Sequence, residues 1–187
     1  MIYALIDKQS LIQKNIDLSS LLHVLKKINP PILQYRNKNE QLEAIKSDLA
    51  NIRADFQGKI IINDHIELID LADGVHLGQE DIRIIHSDIQ EAVKIIRDKI
   101  EKKLFGLSTH NLAEIKEANT LDIDYIGLGA YRLSGTKSDA KVYGEGLLEI
   151  AKSSKHPVAL IGGVKLDDNF DSIITYSVIG SDLFTLL

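Results

Sequence analysis

Along the 187-residue chain, short apolar runs alternate with longer segments in which apolar residues recur at helical spacing. That alternation is the pattern of repeated βα units. It predicts strands over residues 2–6, 32–36, 59–62, 73–77, 103–107, 123–128, 157–161 and 174–179. Helices are predicted over 18–28, 39–53, 64–70, 86–101, 111–118, 144–154 and 167–172, and Asn111-Leu112-Ala113-Glu114 has the form of a capping box at one start. After the last strand only SDLFTLL remains, so a shortened or missing last helix is expected. Eight strands alternating with helices favour an α/β chain folded as a compact (β/α)8 TIM barrel, below the usual ~200 to 400 residues of that architecture. An open doubly wound sheet is the alternative. No linker, low-complexity tract or repeat divides the chain, so residues 1–187 are expected to form a single domain.

Charge and composition narrow the function. The 22 basic and 27 acidic residues give a net charge of −5, and no dense Lys/Arg tract occurs, which argues against nucleic acid and against a membrane surface. Any anion site must therefore be local. There is no Cys, which removes disulfides and thiolate metal sites and suits a reducing compartment. The opening MIYALID reads as a strand rather than a signal peptide, and no apolar run approaches the ~18 residues of a membrane span. A soluble, cytoplasmic protein is expected, with a homo-oligomer left open.

In a barrel of this kind, functional groups gather where strands end. Gln34, Arg36 and Lys38 follow the second strand, Asn63-Asp64 the third, and Gly78 to Asp81 the fourth. Ser108 to His110, Ser134 to Lys137, Gly162-Gly163 and Gly180-Ser181 follow later ones. Cations, amides, hydroxyls and glycine-exposed backbone N–H groups suit phosphate oxygens, and two separated aspartates suit a Mg²⁺ ion held largely by substrate oxygens and water. A phosphorylated small molecule with magnesium is the natural inference. Blander roles compete. Asp64 reads equally as a helix N-cap, with Glu67 three residues on. His76, between Val75 and Leu77, reads as an interior histidine. Ser108 and His110 resemble a nucleophile and base, but the sequence fixes no acid to orient them. His65 and Glu67 beside Asp64 lack paired-His zinc spacing. Gly162-Gly163 could be a tight turn alone. Arg36 and Lys38 are harder to dismiss, since charges pointing into a barrel mouth need partners.

Six segments in order, QYRNK (34–38), IND (62–64), ADGVHLGQED (72–81), GLSTH (106–110), DYIGLGAYRLSGTK (124–137) and ALIGGV (159–164), resemble the thiamine phosphate synthase family. The resemblance implies that 4-amino-2-methyl-5-hydroxymethylpyrimidine diphosphate is joined to thiazole phosphate with release of pyrophosphate. It implies Asp64 and Asp81 as Mg²⁺ ligands, and Asn63, Arg36, Lys38, Ser108 and Lys137 at the diphosphate. Gln34 and His76 would face the pyrimidine, and Gly162, Gly163 and Gly180 would join Ser134 and Thr136 at the thiazole phosphate. A thiazole tautomerase of the same fold, or a barrel that binds a thiamine precursor or a partner without turnover, are the other readings. The chain departs from the family pattern at GAYRLSGTK, where a Pro-containing loop is usual and Arg132 adds a cation. It also departs at DSIITYSVIGS, where a Gly-Ala-Asp-Gly turn is usual, and at Asn29-Pro30-Pro31 before the second strand.

Overall fold

The computed structural model describes residues 1–132 and 144–187. Strand β1 (Ile2–Asp7) leads into helices α1 (Lys8–Gln13) and α2 (Leu18–Ile28), and β2 (Ile32–Arg36) into α3 (Leu42–Asp55). A 3-10 helix, Ile66–Leu71, follows β3 (Lys59–Asn63), and two helices, α4 (Gln79–Ile85) and α5 (Ile89–Ile100), follow β4 (Gly74–Leu77). Next come β5 (Leu104–Thr109), α6 (Leu112–Ala118), β6 (Tyr125–Leu128), α7 (Gly146–Ala151), β7 (Val158–Leu160), β8 (Tyr176–Ile179) and a second 3-10 helix, Ser181–Leu186. All eight strands pair in parallel and in chain order, and β8 closes against β1 through Ile2–Ser177 to Ala4–Ile179. The closed barrel excludes the open doubly wound sheet.

Local chemistry explains most element ends. Asp17 caps α2 by accepting from the Ser20 N–H at 3.1 Å. Its C-cap, Asn29, takes a left-handed conformation with φ 49° immediately before Pro30-Pro31, which cannot extend the helix. The Asn-Pro-Pro approach to β2 is thus a helix stop. Between the ends, Leu21, Leu22, Val24 and Leu25 bury one face of α2.

Four expectations need correction. Helix α1 was not foreseen: it is short, and its signal is Asp7, whose carboxylate accepts from the Ser10 N–H at 2.9 Å. The helix expected over 64–70 is a 3-10 helix starting at Ile66. Helix α4 (Gln79–Ile85) was not foreseen either, whereas the helix expected over 86–101 is α5, which Asp88 starts by accepting from the Gln90 and Glu91 N–H groups. No helix spans 167–172, where the Lys165 and Leu166 N–H groups donate instead to Asp168 and Asp182, each at 2.8 Å. Those carboxylates satisfy the backbone as turns, and DDNFDS offers no apolar stripe for a helix to bury. Among the described residues, no helix is long and apolar enough to cross a membrane.

Two apolar layers hold the barrel. Outward strand residues such as Leu33, Tyr35, Ile60 and Ile62 pack under the helices, while Tyr3, Leu5, Ile32, Ile61, Tyr125, Ala159 and Val178 fill the interior. Three tyrosines from the early parts of their strands, Tyr3, Tyr125 and Tyr176, meet edge-on with ring centroids 5.9 to 6.3 Å apart. They form the floor above which the polar residues sit.

Candidate active site

Inward-facing positions of the strands deliver the site. On β2, Ile32 packs in the interior, and Gln34 and Arg36, at the same period, line the cavity above it. On β4 and β5 the equivalent residues are His76 and Ser108, and on β3 it is Asn63. Five polar side chains from four neighbouring strands thus converge on one mouth.

Among the described residues, the two cations at the end of the second strand, Arg36 and Lys38, each have an acidic partner. The Arg36 guanidinium is ion-paired with Asp7, which is 5 % exposed and also accepts from the Ser10 hydroxyl at 2.8 Å. Lys38 Nζ lies 3.0 Å from Asp64 Oδ2. Asp64 is not an N-cap: His65 occupies that position, with no side-chain cap. Asp64 instead takes a left-handed conformation, φ 66°, which is tolerated best by Asn and Asp among side-chain-bearing residues. Asp81 sits in the first turn of α4, its Oδ2 accepting from the Gly78 N–H at 3.1 Å.

Asp64 and Asp81 follow consecutive parallel strands and so share one rim. Two carboxylates on neighbouring loops fit a Mg²⁺ ion, which is usually bound by one or two carboxylates plus substrate phosphate. Asp64 would exchange Lys38 for the metal, and Asp81 would offer Oδ1, which has no donor among the described residues.

Below the rim runs a chain of polar contacts absent from the sequence reading. Gln34 Nε2 donates to the Tyr3 hydroxyl at 2.9 Å, the Tyr3 and Tyr125 hydroxyls are 2.8 Å apart, and Tyr125 lies 3.2 Å from His76 Nδ1. His76 Nε2 then meets Ser108 Oγ at 2.9 Å. Burial, above all, pushes both tyrosine hydroxyls well above their ordinary pKa, so they keep their protons at neutral pH. Ser108 is thereby paired with His76, not with His110, whose Nδ1 lies 2.9 Å from Glu114. The Ser108–His110 nucleophile reading falls with that geometry. The expected capping box is also divided: Asn111 caps Glu114 N–H at 3.0 Å, but the Glu114 carboxylate accepts from His110 N–H at 2.8 Å rather than from Asn111 N–H. His65 bonds Glu67 and the Asn37 carbonyl, leaving no zinc arrangement there.

On the far side, Gly162 and Gly163 have φ of 92° and 62°. A Cβ on Gly162 would stand 2.7 Å from Ala130 Cβ, so glycine is needed both for the turn and for close approach. Arg132 holds this turn: its N–H donates to the Gly162 carbonyl at 2.9 Å and its guanidinium to the Gly163 carbonyl at 3.1 Å. The guanidinium also grips Asp168 through two bonds of 2.5 and 3.0 Å and lies 4.5 Å from the Tyr131 ring centroid. Gly180 precedes the 3-10 helix Ser181–Leu186 beside it, and Gly162, Gly163 and Gly180 all line the cavity. Ser134, Thr136 and Lys137 lie outside the described residues.

Hydrogen bonding to Arg132 holds the Asp168 carboxyl below the usual carboxylate pKa, and the same bonds raise that of Arg132. A depressed folded-state pKa stabilises the fold above the unfolded value, about 4, and that contribution is lost as pH falls through the folded value. Asp168→Asn should therefore melt about 2 to 4 °C below the parent at pH 7, for a partly solvated pair of about 1 kcal/mol. The gap should narrow below pH 4 in melting curves taken across pH. A gap that persists at acid pH would assign the loss to packing instead.

The family model for thiamine monophosphate synthase (TMP-TENI) matches residues 2–180. The chain belongs to the thiamine monophosphate synthase family. A thiamine-phosphate synthase of Persephonella marina is 36 % identical over 140 residues, covering 71 % of this chain and 63 % of that protein. The thiamine biosynthesis bifunctional protein ThiED of Geobacter sulfurreducens is 38 % identical over 143 residues, 73 % of this chain and 28 % of that protein. The matches thus span less than two thirds of these relatives' lengths. Among solved structures, a thiamine phosphate pyrophosphorylase from Pyrococcus furiosus superposes with a TM-score of 0.74 at 24 % identity, over 96 % of this chain and 85 % of that one. That likeness supports the barrel fold. Within the synthase family frame, the sequence motifs located the rim, whereas Asp7, Tyr3, Tyr125 and Asp168 escaped notice. Asp7 alone had a readable signal, an Asp three residues before Ser10 at a strand end.

Proposed function

We propose that the chain is a thiamine phosphate synthase, joining 4-amino-2-methyl-5-hydroxymethylpyrimidine diphosphate to thiazole phosphate. The observation that carries this reading is that Arg36 and Asn63 line a mouth whose depth is formed by Gln34, His76 and Ser108, with the Lys38–Asp64 ion pair on the loops that follow β2 and β3. A ring fits the depth and a diphosphate fits the cations. The methylene C–O bond of the pyrimidine diphosphate breaks with both electrons leaving on pyrophosphate, and the thiazole nitrogen lone pair captures the resulting cation. No covalent nucleophile is needed. Arg36 and Lys38 hold the departing oxygens, so their attraction strengthens as charge builds there. Ser108 hydrogen-bonds the same anion, and Lys137 is assigned to it by the family pattern. Gln34 and His76 orient the pyrimidine. The Gly162-Gly163 turn and Gly180 offer backbone amides to the thiazole phosphate, to which the family pattern also assigns Ser134 and Thr136.

Mg²⁺ held by Asp64 and Asp81 would neutralise part of the diphosphate charge. A thiazole tautomerase would have no diphosphate to expel and no use for this set of cations. Incubating the purified protein with both substrates and Mg²⁺ should yield thiamine phosphate and pyrophosphate in equal amounts. Mg²⁺ titrated alone should bind weakly, and Asp64→Asn or Asp81→Asn should raise the Mg²⁺ concentration needed for half-maximal turnover. Absence of thiamine phosphate would remove the synthase reading, and an unchanged Mg²⁺ requirement in both variants would remove these residues as ligands.

A further inference from the structure

The polar chain beneath the mouth joins two residues assigned to opposite ends of one substrate. Gln34, Tyr3, Tyr125, His76 and Ser108 come from five different strands and run in unbroken contact, at 2.9, 2.8, 3.2 and 2.9 Å in order. Both ends line the cavity, and the two phenols between them are buried, 1 % and 3 % exposed. Gly106 and Gly127 keep the chain in line, since a Cβ on either would stand within 2.9 Å of the His76 ring.

Each hydroxyl has one proton, and a neutral imidazole has one N–H, so the chain can be satisfied throughout in two ways. In the first, the Gln34 amide NH₂ donates to Tyr3, Tyr3 donates to Tyr125, Tyr125 donates to His76 Nδ1, and His76 Nε2–H donates to Ser108. The Gln34 carbonyl oxygen and the Ser108 proton then both face the cavity. In the second, every bond reverses: the Gln34 NH₂ faces the cavity, and Ser108 spends its proton on His76.

The geometry points to a relay in which Tyr3 and Tyr125 are positioning residues that couple the orientation of the Gln34 amide to the donor state of Ser108. The inference rests on the synthase reading, because it makes the ring and the leaving group of one molecule read each other. A ring edge bearing an amino group needs the Gln34 oxygen, and that choice leaves the Ser108 proton free for the diphosphate. A ring bearing an oxo group at the same place needs the Gln34 NH₂. The relay then reverses, and the diphosphate loses a charge-assisted donor.

Calorimetric Kd values for the 4-aminopyrimidine diphosphate and its 4-oxo counterpart test the coupling. The parent protein should prefer the amino compound roughly tenfold or more, the worth of one hydrogen bond to a charged group. Tyr125→Phe and, separately, Tyr3→Phe should bring the ratio close to unity, because each lets Gln34 turn without cost to Ser108. Ser108→Ala should do the same, and adding Tyr125→Phe to it should change nothing further. A tyrosine with only a structural role would weaken both ligands alike and leave the ratio intact. The relay is overturned by a parent without preference, by a ratio that survives both tyrosine variants, or by full preference in Ser108→Ala. Turnover of the amino compound with thiazole phosphate, measured on the same parent protein, decides the synthase reading independently.

Discussion

Arg36→Ala is expected to lower kcat for thiamine phosphate formation by about 10²- to 10³-fold, the usual loss when a preorganised donor to a developing anion is removed. The guanidinium is held in place before substrate arrives, by Asp7, itself fixed by Ser10 at 2.8 and 2.9 Å. The same substitution strands the Asp7 carboxylate, 5 % exposed, without its cation, and a broken pair of this kind destabilises by a few kcal/mol. The two effects separate in the double variant Asp7→Asn/Arg36→Ala. Its melting temperature should recover while its kcat stays low. Recovery of kcat along with stability would mean that Arg36 serves the fold and not the reaction.

The largest loss of stability is expected at Gly106, in the barrel wall. A Cβ there would stand 2.1 Å from Tyr125 Cζ and 2.5 Å from His76 Nδ1, distances that no contact tolerates. Tyr125 is packed against Tyr3 and Tyr176 and cannot withdraw without moving both. Gly106→Ala should therefore cost about 3 kcal/mol or more, a fall of roughly 6 to 12 °C in Tm for a chain of this size. Gly146→Ala, where a Cβ meets nothing within 4 Å, is the matched control and should be neutral or slightly stabilising. Equal melting temperatures for the two variants would show that the barrel interior repacks freely.

Much of this architecture was legible because barrel strands are short and apolar. The run ILQYR over 32–36 coincides with β2, and its polar members, Gln34 and Arg36, turned out to be the inward pair. Inward and outward faces are both buried in such a strand, however, so period-two alternation could not show that Tyr3 points in while Tyr35 points out. Nothing in the sequence therefore distinguishes the interior tyrosines from ordinary strand residues. Asp168 was hidden for another reason: its partner Arg132 lies 36 residues away, and no local pattern links a cation after one strand to an acid after the next. The doubled helix after β4 was missed because QEDIRII makes barely two turns, and His86 to Asp88 separates it from α5.

The tyrosine floor makes the barrel a cul-de-sac. Tyr3, Tyr125 and Tyr176 close the interior beneath Gln34 and His76, so what enters comes in at the rim that carries Arg36 and returns the same way. Traffic through a single door is last in, first out. The partner seated deepest has to arrive before the one above it, and a product spanning both positions can back out only after the door has cleared.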